Sequence, residues 1–233
     1  MSYQYIGDNV SRIREACLAR ASALGLQPPT LLAVTKSASN EEVKALVDRF
    51  GQKHIAENRT SLFCERYDLF SDEDRPEMHL IGQLQTNTVK YIAGKTALIH
   101  SLDSERLAAE IEKQAAKRNI VMRALIEINS AREEAKGGIM PEDAERFFEK
   151  VSSDYPHIAL CGIMTMGPVL AEAEEYRPYF RETAAIFQKL KEQHGFGDAP
   201  ILSMGMSGSF VTAIEEGANM IRVGRALFVN PNV

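Results

Sequence analysis

The feature that most constrains this chain is an alternation. Short apolar runs rich in β-forming residues recur along it, separated by longer stretches with helical spacing. The runs are Leu31–Lys36, His54–Asn58, His79–Gln83, Ala97–Leu102, Arg123–Asn129, Ala159–Met166, Ile201–Met206 and Met220–Gly224. They lack the strict polar alternation of half-exposed strands, which suits parallel strands covered on both faces. The intervals carry helix signals. Val10, Ile13 and Cys17 mark a first helix that stops near Gly25. Ser39 with Glu42 forms a capping box ahead of Val43, Leu46, Val47 and Phe50, and Gly51 closes that helix. Ser104 opens a stripe of Leu107, Ala108, Ile111 and Ala115. Pro141 precedes Phe147, Phe148 and Val151, and Phe180, Ala184, Phe187 and Leu190 form a further stripe ended by Gly195.

Eight strands alternating with helices predict an α/β fold, a (β/α)₈ TIM barrel, as a single domain over residues 1–233. The alternative is an open doubly wound sheet, which usually carries a glycine-rich turn after its first strand. Here that strand runs into Thr35-Lys36-Ser37-Ala38-Ser39, without glycine.

Charge narrows the function class. The net charge of −5 gives no broad basic field, so nucleic acid and anionic membrane are not expected partners. No apolar run approaches the ~20 residues that span a bilayer, and the first residues lack a signal-peptide pattern, so a cytoplasmic protein is expected. Cys17, Cys64 and Cys161 are odd in number and form no CxxC pair. They read as free thiols, with neither a disulfide framework nor a metal site.

In a parallel barrel, chemistry collects at the carboxyl ends of the strands. Lys36, Asn58, Gly82, Gln83, Asn129, Ser203, Ser207, Arg222 and Gly224 fall there. Lys36 reads either as a snorkelling strand-end lysine or as a desolvated amine, and a neutral amine is what Schiff-base chemistry requires. Ser203–Ser209 leads into a helix over Phe210–Glu216, with Ser207 at a capping position. A helix N-terminus there would attract an anion, although Ser207 reads equally as a plain cap. In Ile221–Ala226, Gly224 allows close approach of a bound group, and loops seven and eight are where barrels often hold phosphate. Arg222 reads as a site residue or as half of a structural ion pair. His79 reads as a satisfied core histidine rather than a catalyst.

Five segments, in order, resemble the pyridoxal phosphate homeostasis proteins, single-domain barrels related to the alanine racemase N-terminal domain. They are Leu31–Lys36, Glu57-Asn58, His79–Asn87, Ser203–Ser207 and Ile221–Gly224. The resemblance implies pyridoxal 5′-phosphate (PLP) as cofactor, held as a Schiff base on Lys36. It implies Asn58 beside the ring, Ser207 with backbone of Gly224 and Arg225 at the phosphate, helped by Ser203 or Met204, and Arg222 facing the pyridine nitrogen. Lys136-Gly137-Gly138 is similar to the family's Ser-Lys-x-Gly loop. Departures are Thr35 for serine, Ala56 for glycine, Ala135 for serine, Arg225 for threonine and Val229 for glycine.

An arginine does not accept a proton from the pyridine nitrogen, so the ring would be a poor electron sink. That suits a PLP store or a racemase. A racemase needs a second acid–base group opposite Lys36. In alanine racemases a partner's C-terminal domain supplies it, whereas this sequence stops at Val233. Tyr91, Tyr155, Tyr176 and Tyr179 read as packing residues. Three readings follow. The first is a PLP-binding protein of vitamin B6 and amino-acid balance without robust catalysis, monomeric and passing PLP to apo-enzymes. The second is an amino-acid racemase of low or narrow activity. The third is a phosphate-binding barrel enzyme whose Lys36 condenses with substrate.

Overall fold

A computed structural model describes residues 3–133 and 136–230. Eight parallel strands close into a barrel in chain order: β1 Thr30–Val34, β2 His54–Glu57, β3 Glu77–Leu80, β4 Leu98–Leu102, β5 Met122–Ile128, β6 Ile158–Thr165, β7 Ile201–Ser203 and β8 Met220–Val223. Closure is made by β8 against β1, with Thr30 to Ala33 in register with Met220 to Val223. The expected barrel is therefore present, with a strand at each expected position.

The helices follow the anticipated signals. α1 (Gln4–Ala23) buries Val10, Ile13 and Cys17. Ser39 and Glu42 form the reciprocal capping box of α2 (Asn40–Lys44), which continues as a π-helical turn over Ala45–Arg49. The outer ring continues with α3 (Thr60–Tyr67) and the short α4 (Val89–Ile92). The Ser104 hydroxyl accepts from the Leu107 N–H to start α5 (Glu105–Arg118). Pro141 opens a 3₁₀ turn ahead of α6 (Ala144–Asp154), whose Phe147, Phe148 and Val151 are buried. α7 (Arg177–Gln193) turns Phe180, Phe187 and Leu190 inward. α8 (Phe210–Glu215) and α9 (Arg225–Phe228) complete the ring.

The core has two compartments. The larger lies between strands and helices and includes Ile13, Phe63, Ile92, Ile111, Val151 and Ile221. Each such fully buried side chain contributes roughly 1.5–3 kcal/mol. Inside the barrel, Leu32, Val34, Ala56 and Met220 form one apolar cluster and Leu98, Leu125, Cys161 and Met164 another. Arg222 lies two residues after Met220 and so shares its inward face. Among the described residues, no helix is long and apolar enough to cross a membrane. Cys17, Cys64 and Cys161 are free thiols.

Every strand except β4 stops earlier than its apolar run. β1 ends at Val34 and β7 at Ser203, so Lys36, Asn58, Gln83 and Met206 belong to loops. Backbone pairing ends where the chain turns outward, although apolar character continues. Ala135 and Val233 lie outside the described residues.

Candidate functional site

A cavity of about 520 Å³ opens at the carboxyl end of the barrel, and Lys36, Asn58, Ser207, Arg222, Gly224 and Arg225 all line it. Ser203 and Met204 do not. Both are fully buried, Ser203 beneath the floor and Met204 in the core. A second cavity of about 480 Å³ lies over β3 to β5, lined by Gln83, Gln85, Asn87, Asp103, Arg106 and Gly137. Most of the His79–Asn87 segment therefore serves that second cavity. The first is the candidate site because it combines an amine with the two late loops.

Lys36 follows Thr35, whose hydroxyl donates to Oε1 of Glu57 at 2.5 Å. Two residues past Lys36, the Ala38 carbonyl accepts from Nη2 of Arg66 at 2.5 Å. Glu57 and Arg66 are themselves a buried ion pair at 3.5 Å. Both flanks of the Lys36 loop are thus tied to one pair beneath it. Burial raises the Glu57 carboxyl above its ordinary range, against the Thr35 bond and the Arg66 charge. Lys36 itself is exposed and has no hydrogen-bond or ion-pair partner among the described residues. The expected desolvation of this amine is not seen. The loop carries it out past the strand end into the open mouth.

Asn58 is placed by a close backbone approach. A Cβ at Gly82 would lie 2.1 Å from the Asn58 carbonyl oxygen, so only glycine fits there. The Asn58 Oδ1 is buried and without a partner. An orphaned acceptor on a cavity wall is a group waiting for a donor.

Arg222 is buried and fully engaged on one side. Its Nη1 donates to Ser203 Oγ at 2.8 Å and its Nη2 to the Thr165 carbonyl at 2.8 Å. Burial lowers its pKa to about 10, which still leaves the guanidinium charged at neutral pH. Behind Ser203 stand two histidines: His100 Nδ1 is 3.3 Å from Ser203 Oγ, and His79 Nδ1 is 3.0 Å from His100 Nε2. Burial lowers the pKa of His79 to about 3 and holds that of His100 well below the usual range, with neighbouring positive charge adding to both. His79 is therefore only half satisfied, since its Nε2 is buried without a partner.

Glu127 escaped the sequence reading. Its pKa is raised to about 7 by burial and by Asp103, opposed by Arg222. The signal was a lone carboxylate in the apolar run Arg123–Asn129, on the same strand face as Arg123 and Asn129. Asn129, a strand-end candidate, instead pins its own loop, since its amide donates to the Glu133 carbonyl and its Oδ1 accepts the Glu133 N–H.

On the opposite wall, Gly205 takes a positive φ of 87°, and a Cβ there would lie 2.5 Å from the Ala213 Cβ. This turn seats the loop against α8. The cap position of α8 is Ser209, not Ser207, and the Ser209 hydroxyl accepts from the Met206 N–H at 3.2 Å. Ser207 is left half-buried and turned to the cavity. A Cβ on Gly224 would meet the Val34 oxygen at 3.3 Å and the Val34 Cβ at 3.4 Å, so this wall is close-fitting. Arg225 is exposed at the rim. Tyr176, read as a packing residue, is 9% exposed and also lines the cavity, with its hydroxyl held by the Leu170 backbone. An amine, an orphaned acceptor, a charged guanidinium and a hydroxyl-bearing loop are a donor set that fits a phosphorylated aldehyde.

Residues 9–231 match the family described as alanine racemase, N-terminal domain. A relative from Aquifex aeolicus named pyridoxal phosphate homeostasis protein is 42% identical over 219 residues, covering 94% of this chain and 93% of that one. The chain belongs to the pyridoxal phosphate homeostasis protein family. Two solved structures extend the likeness to the fold. One is an unknown protein from Bifidobacterium adolescentis, at 30% identity with a TM-score of 0.90, covering 97% of this chain and 95% of that one. The other is PipY of Synechococcus elongatus, solved with PLP bound, at 26% identity with a TM-score of 0.77, covering 91% of this chain and all of PipY. The family relation explains why the five ordered segments are spread along nearly the whole chain.

Proposed function

We propose that this protein binds PLP in the 520 Å³ cavity as a Schiff base on Lys36, and serves intracellular PLP balance without robust catalysis. The observation that carries the reading is the convergence of Lys36, Asn58, Ser207 and Arg222 on one cavity at the carboxyl end of the barrel. PLP, when bound, supplies an aldehyde for the amine and a conjugated ring that takes up electron density. Lys36 provides the condensing amine. Asn58 Oδ1 offers an acceptor beside the ring. Ser207, with backbone of Gly224 and Arg225, receives the phosphate. Arg222 remains a hydrogen-bond donor with no proton-accepting capacity, which disfavours the ring protonation that carbanion chemistry needs.

Tyr176 is the tyrosine at the cavity wall, and its hydroxyl is already bound to Leu170. That arrangement favours a carrier over a two-base racemase. The open mouth, with Lys36 exposed, suits release of PLP to apo-enzymes by a monomeric cytoplasmic protein. Titration of the purified protein with PLP tests the reading. Wild type should gain the visible absorbance of a protonated Schiff base and Lys36→Ala should not. An equal band in Lys36→Ala would overturn the assignment, and rapid racemisation of any amino acid would overturn the carrier role.

A further inference from the structure

The opposite end of the barrel holds a second cluster of ligating groups. β2 begins with His54 and β3 with Glu77, and these two residues are register partners. His79 follows two residues later, on the same strand face as Glu77. One nitrogen from each histidine and one oxygen from Glu77 lie within 4.8 Å of one another. His54 Nδ1 faces Glu77 Oε2 at 3.4 Å without an aligned hydrogen bond. His79 is 2% exposed. Its Nδ1 is taken by His100, and its Nε2 is buried with no partner. A buried polar atom left unpaired costs about 1–3 kcal/mol. Here two such nitrogens and a carboxylate converge.

We propose that His54, Glu77 and His79 form a site for a borderline divalent cation of the Zn²⁺ type at the floor of the barrel. Two imidazoles and one carboxylate are the donor set such ions prefer, and one Mg²⁺ would not select. The orienting shell is already present. With His79 donating through Nδ1 to His100 Nε2, the lone pair of its Nε2 is left for the ion, which is the arrangement that fixes ligating histidines elsewhere. Access is from the floor: the Glu77 side chain is 57% exposed, and His54 lines an open groove with Arg14, Gln52 and Lys53. Arg123 places like charge near His79 and weakens the site. The inference does not rest on the PLP assignment, since none of the three residues lines the PLP cavity.

Calorimetric titration of Zn²⁺ and of Ni²⁺ into the PLP-free full chain tests it. Wild type should bind one ion saturably. His54→Ala, Glu77→Gln and His79→Ala should each weaken binding about tenfold or more. His194→Ala, in a surface cluster with Glu145 and Glu149, should leave it unchanged. If His79→Ala fails to fold, the two strand-end variants decide. Absence of saturable binding in wild type, wild-type affinity in both His54→Ala and Glu77→Gln, or loss of binding in His194→Ala would each overturn the proposal.

Discussion

The Thr35 hydroxyl and the Glu57 carboxylate meet at 2.5 Å, and that bond sets the direction in which the chain leaves β1 toward Lys36. Glu57 is fully buried, its Oε2 has no hydrogen-bond partner, and Arg66 compensates its charge only at 3.5 Å. The Lys36 loop therefore depends on a hydroxyl at position 35. Thr35→Val keeps the shape and removes the donor. It should cost ~1–3 kcal/mol and weaken PLP binding, while Thr35→Ser should stay near wild type. Urea unfolding of the three proteins measures the difference. A Thr35→Val protein as stable as wild type would show that the bond contributes nothing.

Glu127 makes stability depend on pH. Its pKa is raised in the folded state from 4.5 to about 7, so between those values the folded chain holds a proton that the unfolded chain has lost. Stability is fully present below pH ~4.5 and declines as pH rises through ~7. At ~1.4 kcal/mol per pH unit, the span is worth on the order of 3 kcal/mol. Glu127→Gln should flatten this decline. Unfolding free energies at pH 5 and pH 8 should differ less in the variant, and an equal difference would contradict the account.

His79 acts with the opposite sign. Its folded-state pKa is lowered from 6.5 to about 3, so stability is present above pH ~6.5 and lost as pH falls toward ~3. Protonation would place charge in a closed chain that ends on the cationic Arg222. His79→Gln should unfold less steeply in acid than wild type. Circular dichroism from pH 7 to pH 3 resolves this, and identical acid transitions would count against it.

Gly224 is a test of the cavity wall rather than of the fold. A valine there would press on Val34 and project into the cavity, so Gly224→Val should lower PLP affinity by about tenfold or more while unfolding cooperatively. Fluorescence titration with PLP provides the measurement. Unchanged affinity would place the phosphate elsewhere.

Much of this was legible from residues. Eight apolar runs and their caps specify the barrel because strand and helix periodicities differ, and Ser39, Ser104 and Pro141 punctuate helices as expected. Lys36, Asn58, Arg222 and Gly224 were visible because a barrel presents strand ends on one face. What escaped depended on distant contacts. Ser209 rather than Ser207 stands at the N-terminal boundary of α8, because Gly205 turns the loop first. Lys36 is exposed because pairing ends at Val34. Glu127 and the floor cluster of His54, Glu77 and His79 emerge only on closure, when residues far apart in sequence share the barrel interior and its rim.

The most direct test of the central claim is borohydride reduction of the PLP-loaded protein followed by peptide mass mapping. The account predicts a single reduced pyridoxyl adduct on Lys36, with none on Lys136 or on other lysines. An adduct elsewhere, or no adduct on Lys36, would contradict it.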